Sequence, residues 1–166
     1  VSPGTTTTYY VRGEGGCVTP GSCATATVTV VSDPAAPTAT KSPDVATVCA
    51  GQTLTLTGVT DNGGGAGTCT IEYRHSTDGG TNWTTWSATP SSFAAVVGTN
   101  TIQIRKNCDG SGCDISGAGT YSWTVVAQPV GPTLNVKTPN TAAVCAGTTV
   151  SATFNSGSGG TGCADD

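Results

Sequence analysis

The stretches VCAGQTLTLTG (Val48–Gly58) and VCAGTTV (Val144–Val150) decide how this chain is read. Each follows a Pro-containing lead-in, PTATKSP (Pro37–Pro43) and PTLNVKTP (Pro132–Pro139). Each opens a short Thr-rich alternating run, then a Gly-rich stretch closed by a second Cys, GAGTC (Gly65–Cys69) and GTGC (Gly160–Cys163). The copies lie about 95 residues apart, the size of one β-sandwich module. The second copy runs only to Asp166, so the chain is expected to be a window on a longer modular array. Arrays of small sandwiches span distance and adhere, and nothing in these residues points to a specific ligand.

Composition agrees with an all-β chain. Thr supplies about a fifth of the 166 residues and Gly numbers 24, roughly twice its usual share. Thr and Val favour pleated backbone because β-branching stiffens χ1. Gly and Pro punctuate turns. No apolar 3.6-residue period persists for two turns. Charged residues make up 10%, and the net charge is −4 with six scattered basic residues. That argues against a nucleic-acid partner, which needs clustered Lys and Arg. No apolar run approaches the ~20 residues of a membrane span. The segment is therefore expected to be soluble, with any export signal or anchor lying elsewhere in a parent sequence.

Large apolar residues are few: three Trp, two Phe, four Tyr and a modest set of Val, Leu and Ile. A core this thin calls for staples. Eight Cys can supply them. They fall in sequence-adjacent pairs, and local pairing is the economical expectation: Cys17 with Cys23, Cys49 with Cys69, Cys108 with Cys113, Cys145 with Cys163. Cross-links of this kind imply an oxidising compartment. The rival, zinc, wants four ligands in closely spaced Cys pairs, and the spacings here do not provide them.

Three pieces follow along the chain. Residues 1–33 read as the C-terminal part of one module, with strands in TTTTYYV (Thr5–Val11) and CATATVTVV (Cys23–Val31). SDPAAP (Ser32–Pro37) is a stiff junction. Residues 34–128 make one complete module. Its strand candidates are Ala46–Val48, Thr53–Gly58, Thr70–His75, Asn82–Ser87, Ser92–Val97, Asn100–Lys106 and Thr120–Ala127. DGGTN (Asp78–Asn82) is the hairpin turn. AQPVGP (Ala127–Pro132) is a second junction, and residues 129–166 begin a further module. The fold class expected is therefore tandem, disulfide-stapled Ig-like β-sandwiches.

VSPGTTTTYYVRGEGGC (Val1–Cys17), VCAGQTLTLTG (Val48–Gly58), YRHSTDGGTNWTTWS (Tyr73–Ser87) and NTIQIRKNCDGSGCDISG (Asn100–Gly117) resemble Ig-like repeats of very large cell-surface proteins of Bacteroidota. The resemblance covers essentially the whole chain. It implies export by the type IX secretion system and a role as adhesin, motility-associated surface strand or extracellular fibre. It carries no catalytic residues.

Candidate sites are few. STDGGTNW (Ser76–Trp83) nearly matches the Asp-box, with Asn82 where Thr is expected, and reads as a structural turn. Tyr73, Trp83 and Trp86 are the candidate glycan contacts, although Trp83 and Trp86, three apart, would face opposite sides of a strand. Trp123 is expected in the core against a Cys49–Cys69 bridge. Asp61, Asn62, Asp109, Asp114 and Asp165–Asp166 could contribute to a weak calcium site at a junction, but no spacing reproduces a calcium loop. No other metal or cofactor is called for. His75 is the only His, with no nucleophile constellation around it, so no enzyme activity is expected.

The function expected is that of a structural, adhesive segment of a long extracellular surface protein. Neighbouring modules are its partners, and surface glycans are a second class. The alternative is a carbohydrate-binding accessory module of a secreted polysaccharide-degrading enzyme. Incomplete modules at both ends would expose strand edges. Closure within a longer chain is expected there, with strand donation between subunits as the other arrangement.

Overall fold

A computed structural model describes residues 3–13, 21–110 and 112–160 of the chain. They form no helix. Eleven strands are described: β1 (Thr7–Val11), β2 (Ala24–Val28), β3 (Thr38–Ser42), β4 (Thr47–Cys49), β5 (Thr53–Thr60), β6 (Cys69–Ser76), β7 (Ser92–Ala94), β8 (Gly98–Cys108), β9 (Gly119–Val126), β10 (Thr133–Thr138) and β11 (Ser151–Asn155). They make four sheets, ordered β1-β2, β3-β5-β7, β4-β9-β8-β6 and β10-β11. β4 runs parallel to β9, with Val48 opposite Val125. β5 and β7 are antiparallel, with Leu54 opposite Phe93.

Contacts divide the chain into two compact units. The first comprises Val1–Thr38, Thr60–Glu72 and Ile104–Gly119. The second comprises Ala39–Val59, Tyr73–Gln103 and Thr120–Asp166. The second holds most of the core: Val48, Leu54, Leu56, Tyr73, Ile102, Trp123 and Val125 are all buried. Period-2 alternation puts them there. In β5, Leu54 and Leu56 are buried while Thr53 and Thr57 are exposed. Successive strand residues face opposite sides, so TLTLT sends its leucines one way and its hydroxyls the other. The indole of Trp123 is 1% exposed, and its Nε1 donates to Pro43 O at 2.9 Å. Burying that nitrogen without a partner would forfeit much of what the ring contributes. Asn100, also buried, closes both ends of its amide on Val96 N and O.

Most strand expectations hold, and two elements differ. Asn82–Ser87 is not a strand. It touches β6 through one bridge, Tyr73 with Ser87, and a bond from Thr84 N to His75 O. β3, in contrast, arises from the lead-in PTATKSP, which carries no apolar alternation.

The repeat is visible in local geometry. Lys41 Nζ donates to Val45 O at 2.8 Å, and Lys137 Nζ to Thr141 O at 3.1 Å. Gln52 N bonds Cys49 O, and Thr148 N bonds Cys145 O. The VCAG turns end on glycines at φ 88° (Gly51) and 86° (Gly147). β3 pairs with β5, and β10 pairs with β11. Two copies of one sequence pattern thus build the same turn and the same strand pair.

Candidate functional site

The Asp-box-like segment forms a closed turn after β6. Ser76 Oγ is buried and bonds Asp78 Oδ1 at 2.7 Å, while Gly80 N donates to it at 2.9 Å. Asn82 N and Nδ2 both donate to the Asp78 carboxylate, and Trp83 Nε1 donates to Gly80 O. Gly79 and Gly80 take φ of 72° and 94°, which this tight path requires. Asn82, standing where Thr was expected, adds a second donor to Asp78. The backbone N–H of Asn82, the Ser76 hydroxyl and the Asn82 amide hold the Asp78 carboxyl down to about 2. The segment is a structural turn.

That turn aims two indoles at one cation. The Arg74 guanidinium lies 4.5 Å from the Trp83 ring centre and 4.4 Å from that of Trp86. Its Nε and Nη2 donate to Gln103 Oε1 at 2.9 and 2.7 Å. Because Asn82–Ser87 is not a strand, Trp83 and Trp86 turn to the same partner, contrary to the expectation that they diverge. Tyr73 does not join them. It is buried in the core, and burial raises its hydroxyl pKa. His75 stacks on Phe93 with centroids 4.0 Å apart and planes at 11°, and desolvation lowers its pKa. It packs against an aromatic ring.

Two of the acidic candidates, Asp61 and Asp109, accept bonds from protein donors. Asp61 takes Lys106 Nζ at 2.9 Å, and that bond, with Gly63 N, lowers its pKa. Asp109 Oδ1 accepts Thr68 N at 2.6 Å. Burial pushes the Glu72 carboxyl up, but Asn107 and Arg105 outweigh it and leave it below its ordinary value. Among the described residues no three His, Cys, Asp or Glu side chains are grouped to hold a metal ion. Asp165 and Asp166 lie outside those residues.

The cysteines pair differently from the local expectation. Cys69 bonds Cys108, from the start of β6 to the end of the neighbouring β8, with Cα atoms 4.0 Å apart. Cys49 is in a disulfide, but Cys69 is not its partner, so no Cys49–Cys69 bridge backs Trp123. Cys113 is a free thiol rather than the partner of Cys108. Its Sγ contacts Val31 O, and burial, with Asp33 and Asp114 nearby, pushes its pKa up. Cys23 and Cys145 also carry free thiols. Their expected partners, Cys17 and Cys163, lie outside the described residues. The physical reason for the change is adjacency in space: the order β8-β6 brings together two cysteines 39 residues apart in sequence.

The feature that sequence reasoning missed is at the junctions. Gly65 N donates to Ser32 O at 2.8 Å, and Ala35 N to Gly63 O at 3.0 Å. About 95 residues on, Gly160 N donates to Ala127 O at 2.9 Å, and Val130 N to Ser158 O at 2.6 Å. Each Pro-rich junction is therefore bonded to the Gly-rich loop that follows β5 or β11. A Cβ at Gly64 would collide with Asp33 O, and one at Gly159 with Gln128 O. Asn62 Nδ2 adds a bond to Ala36 O at 2.7 Å. The signal was present in sequence as paired Gly runs, GGG (Gly63–Gly65) and GSGG (Gly157–Gly160), each a fixed distance after a Pro-rich link.

Comparison with family models, with curated proteins and with solved structures finds no match to this chain. Among the described residues no helix is long and apolar enough to cross a membrane.

Proposed function

We propose that this chain is a segment of an extended extracellular array of Ig-like β-sandwich modules, with a mechanical and adhesive role at a cell surface. The observation that carries the reading is the repeated junction: the same two backbone bonds fasten each Pro-rich link to the same Gly-rich loop, once per repeat. A link held this way transmits force rather than acting as a free hinge. The strand orders support the module type. β3-β5-β7 and β9-β8-β6 match the ABE and GFC groupings of an immunoglobulin-type sandwich, with β4 joining the last strand, β9. Residues 34–128 are the complete module in this reading, flanked by parts of two others at 1–33 and 129–166. The Cys69–Cys108 disulfide fits an oxidising, extracellular setting. Partners are neighbouring modules of the array. The resemblance to Bacteroidota surface repeats points to type IX export.

The carbohydrate-binding alternative is less well supported, because Arg74 already occupies faces of Trp83 and Trp86. Negative-stain imaging of native surface material tests the proposal. Strands many modules long are the expected result, and compact particles would overturn it.

A further inference from the structure

We propose that the first junction gates a thiol–disulfide exchange, in which Cys113 attacks the Cys69–Cys108 bridge and frees Cys69 once the link is pulled loose. The chemistry belongs to the single chain, and only its trigger, tension along the link, rests on the array reading. Cys113 carries a free, half-buried thiol. Its Sγ donates to Val31 O at 3.6 Å. The next carbonyl of the link, Ser32 O, accepts Gly65 N at 2.8 Å. Gly65 lies on the bridge itself: a Cβ there would collide with Cys108 Sγ and crowd Cys69 Sγ and Pro34 Cβ. Thiol and disulfide therefore meet neighbouring atoms of one fastening. The backbone ties them further. Ala66 N donates to Cys113 O at 3.2 Å, and Cys108 N to Asp114 O at 2.6 Å.

While the link is fastened, the thiol is spent on Val31 O and the bridge stays between Cys69 and Cys108. Burial and the carboxylates of Asp33 and Asp114 also push the Cys113 pKa up, and only a thiolate attacks a disulfide. Val31, Ser32 and Asp33 are consecutive. Drawing the link away therefore removes the thiol's acceptor, the partner of Gly65 N and one of the two carboxylates together. Of the two bridged sulfurs, that of Cys108 belongs to the thiol's own hairpin, where Asn107 bridges Ile115. The Cys113 sulfur attacks Cys108 Sγ. The Cys108–Cys113 bond forms and the Cys69–Cys108 bond breaks. Its electron pair leaves on the Cys69 sulfur, which takes up the proton that Cys113 gave up. One thiol and one disulfide stand on each side, so no outside oxidant is needed. The product frees β6 from its covalent tie to β8 and moves the cross-link into the loop after β8.

Peptide mapping of the 166-residue chain is the test. The chain is held at pH about 9, where thiols ionise, then quenched with acid and alkylated in denaturant. In the wild type the label should fall on Cys113 and leave Cys69 nearly untouched. Gly64→Ala, which forces Asp33 O away, should bring label onto Cys69 roughly fivefold faster or more, the factor that one lost hydrogen bond allows. A Cys108–Cys113 peptide should appear in step. Adding Cys113→Ser to Gly64→Ala should abolish the Cys69 label, which separates this route from attack by Cys23 or Cys145. Ala35→Pro, which deletes the donor to Gly63 O, is the second opener should Gly64→Ala fail to fold, as judged by its tryptophan emission. Cys69 unlabelled in the opened chain, labelled equally fast in the wild type, or labelled without Cys113 would overturn the exchange. Those outcomes would leave the array reading standing. Compact native particles would remove the tension while leaving the exchange to be measured in the isolated chain.

Discussion

Arg74 shows how a single residue reorganises what the sequence suggests. Two tryptophans three apart look like opposite faces of a strand. In the structure a turn precedes them, and one guanidinium collects both rings and Gln103. That arrangement depends on a contact across strands, which no local pattern encodes. Arg74→Ala should therefore destabilise the protein by about 1–2 kcal/mol, the range for a partly desolvated cation on aromatic faces. It should also shift tryptophan emission. An unchanged melting curve and unchanged emission would show the contact to be idle. The turn itself was legible, because Ser, Asp and Gly at those spacings have few other uses. Its acid, Asp78, titrates lower when folded than its ordinary 3.8. A depressed carboxyl stabilises the fold above the unfolded value, and that share is lost as pH falls through the folded value near 2. The melting-temperature advantage of the wild type over Asp78→Asn should therefore shrink as pH drops from about 4 to 2. A constant advantage would show that charge at Asp78 is irrelevant.

Among the elements, those with strict alternation were readable and those defined by partners were not. TLTLT in β5 and IQI in β8 declare their buried sides, because a half-buried strand must alternate. β3 has no such pattern, and its place comes from pairing with β5. The junctions were read as stiff because of their prolines. Their fastening to the glycine loops was invisible, since it depends on backbone groups that every residue carries. The glycines matter because they lack a Cβ. Gly64 adopts φ 70° and lies against Asp33 O. Gly64→Ala should break the bonds from Gly65 N to Ser32 O and from Ala35 N to Gly63 O. At about 1 kcal/mol per hydrogen bond, amide exchange at Gly65 and Ala35 should quicken roughly fivefold or more. Gly159→Ala should do the same at Gly160 and Val130. Exchange confined to the core and unchanged at these amides would mean that the links were never fastened.

At the scale of the whole molecule the question is what compensates for so few large apolar side chains. The buried set is short, and the thinness of the core was legible from composition. The staple was legible as a need, but its partners were not, because sequence distance says nothing about which strands become neighbours. Local pairing would close loops of a few or about 20 residues, whereas Cys69–Cys108 spans 39. On chain-entropy reasoning a loop of that length contributes about 4 kcal/mol, a large fraction of the roughly 5–15 kcal/mol that holds a domain together. Cys69→Ser should therefore lower the urea midpoint by about 2 M for a chain of this size. Cys113→Ser should leave the midpoint where it is, since Cys113 has no covalent partner. If Cys108 instead bonded Cys113, the order of the two effects would reverse. A midpoint that moves in neither variant would mean that the Cys69–Cys108 bridge contributes nothing to holding the fold, leaving packing and the disulfide at Cys49 to do so.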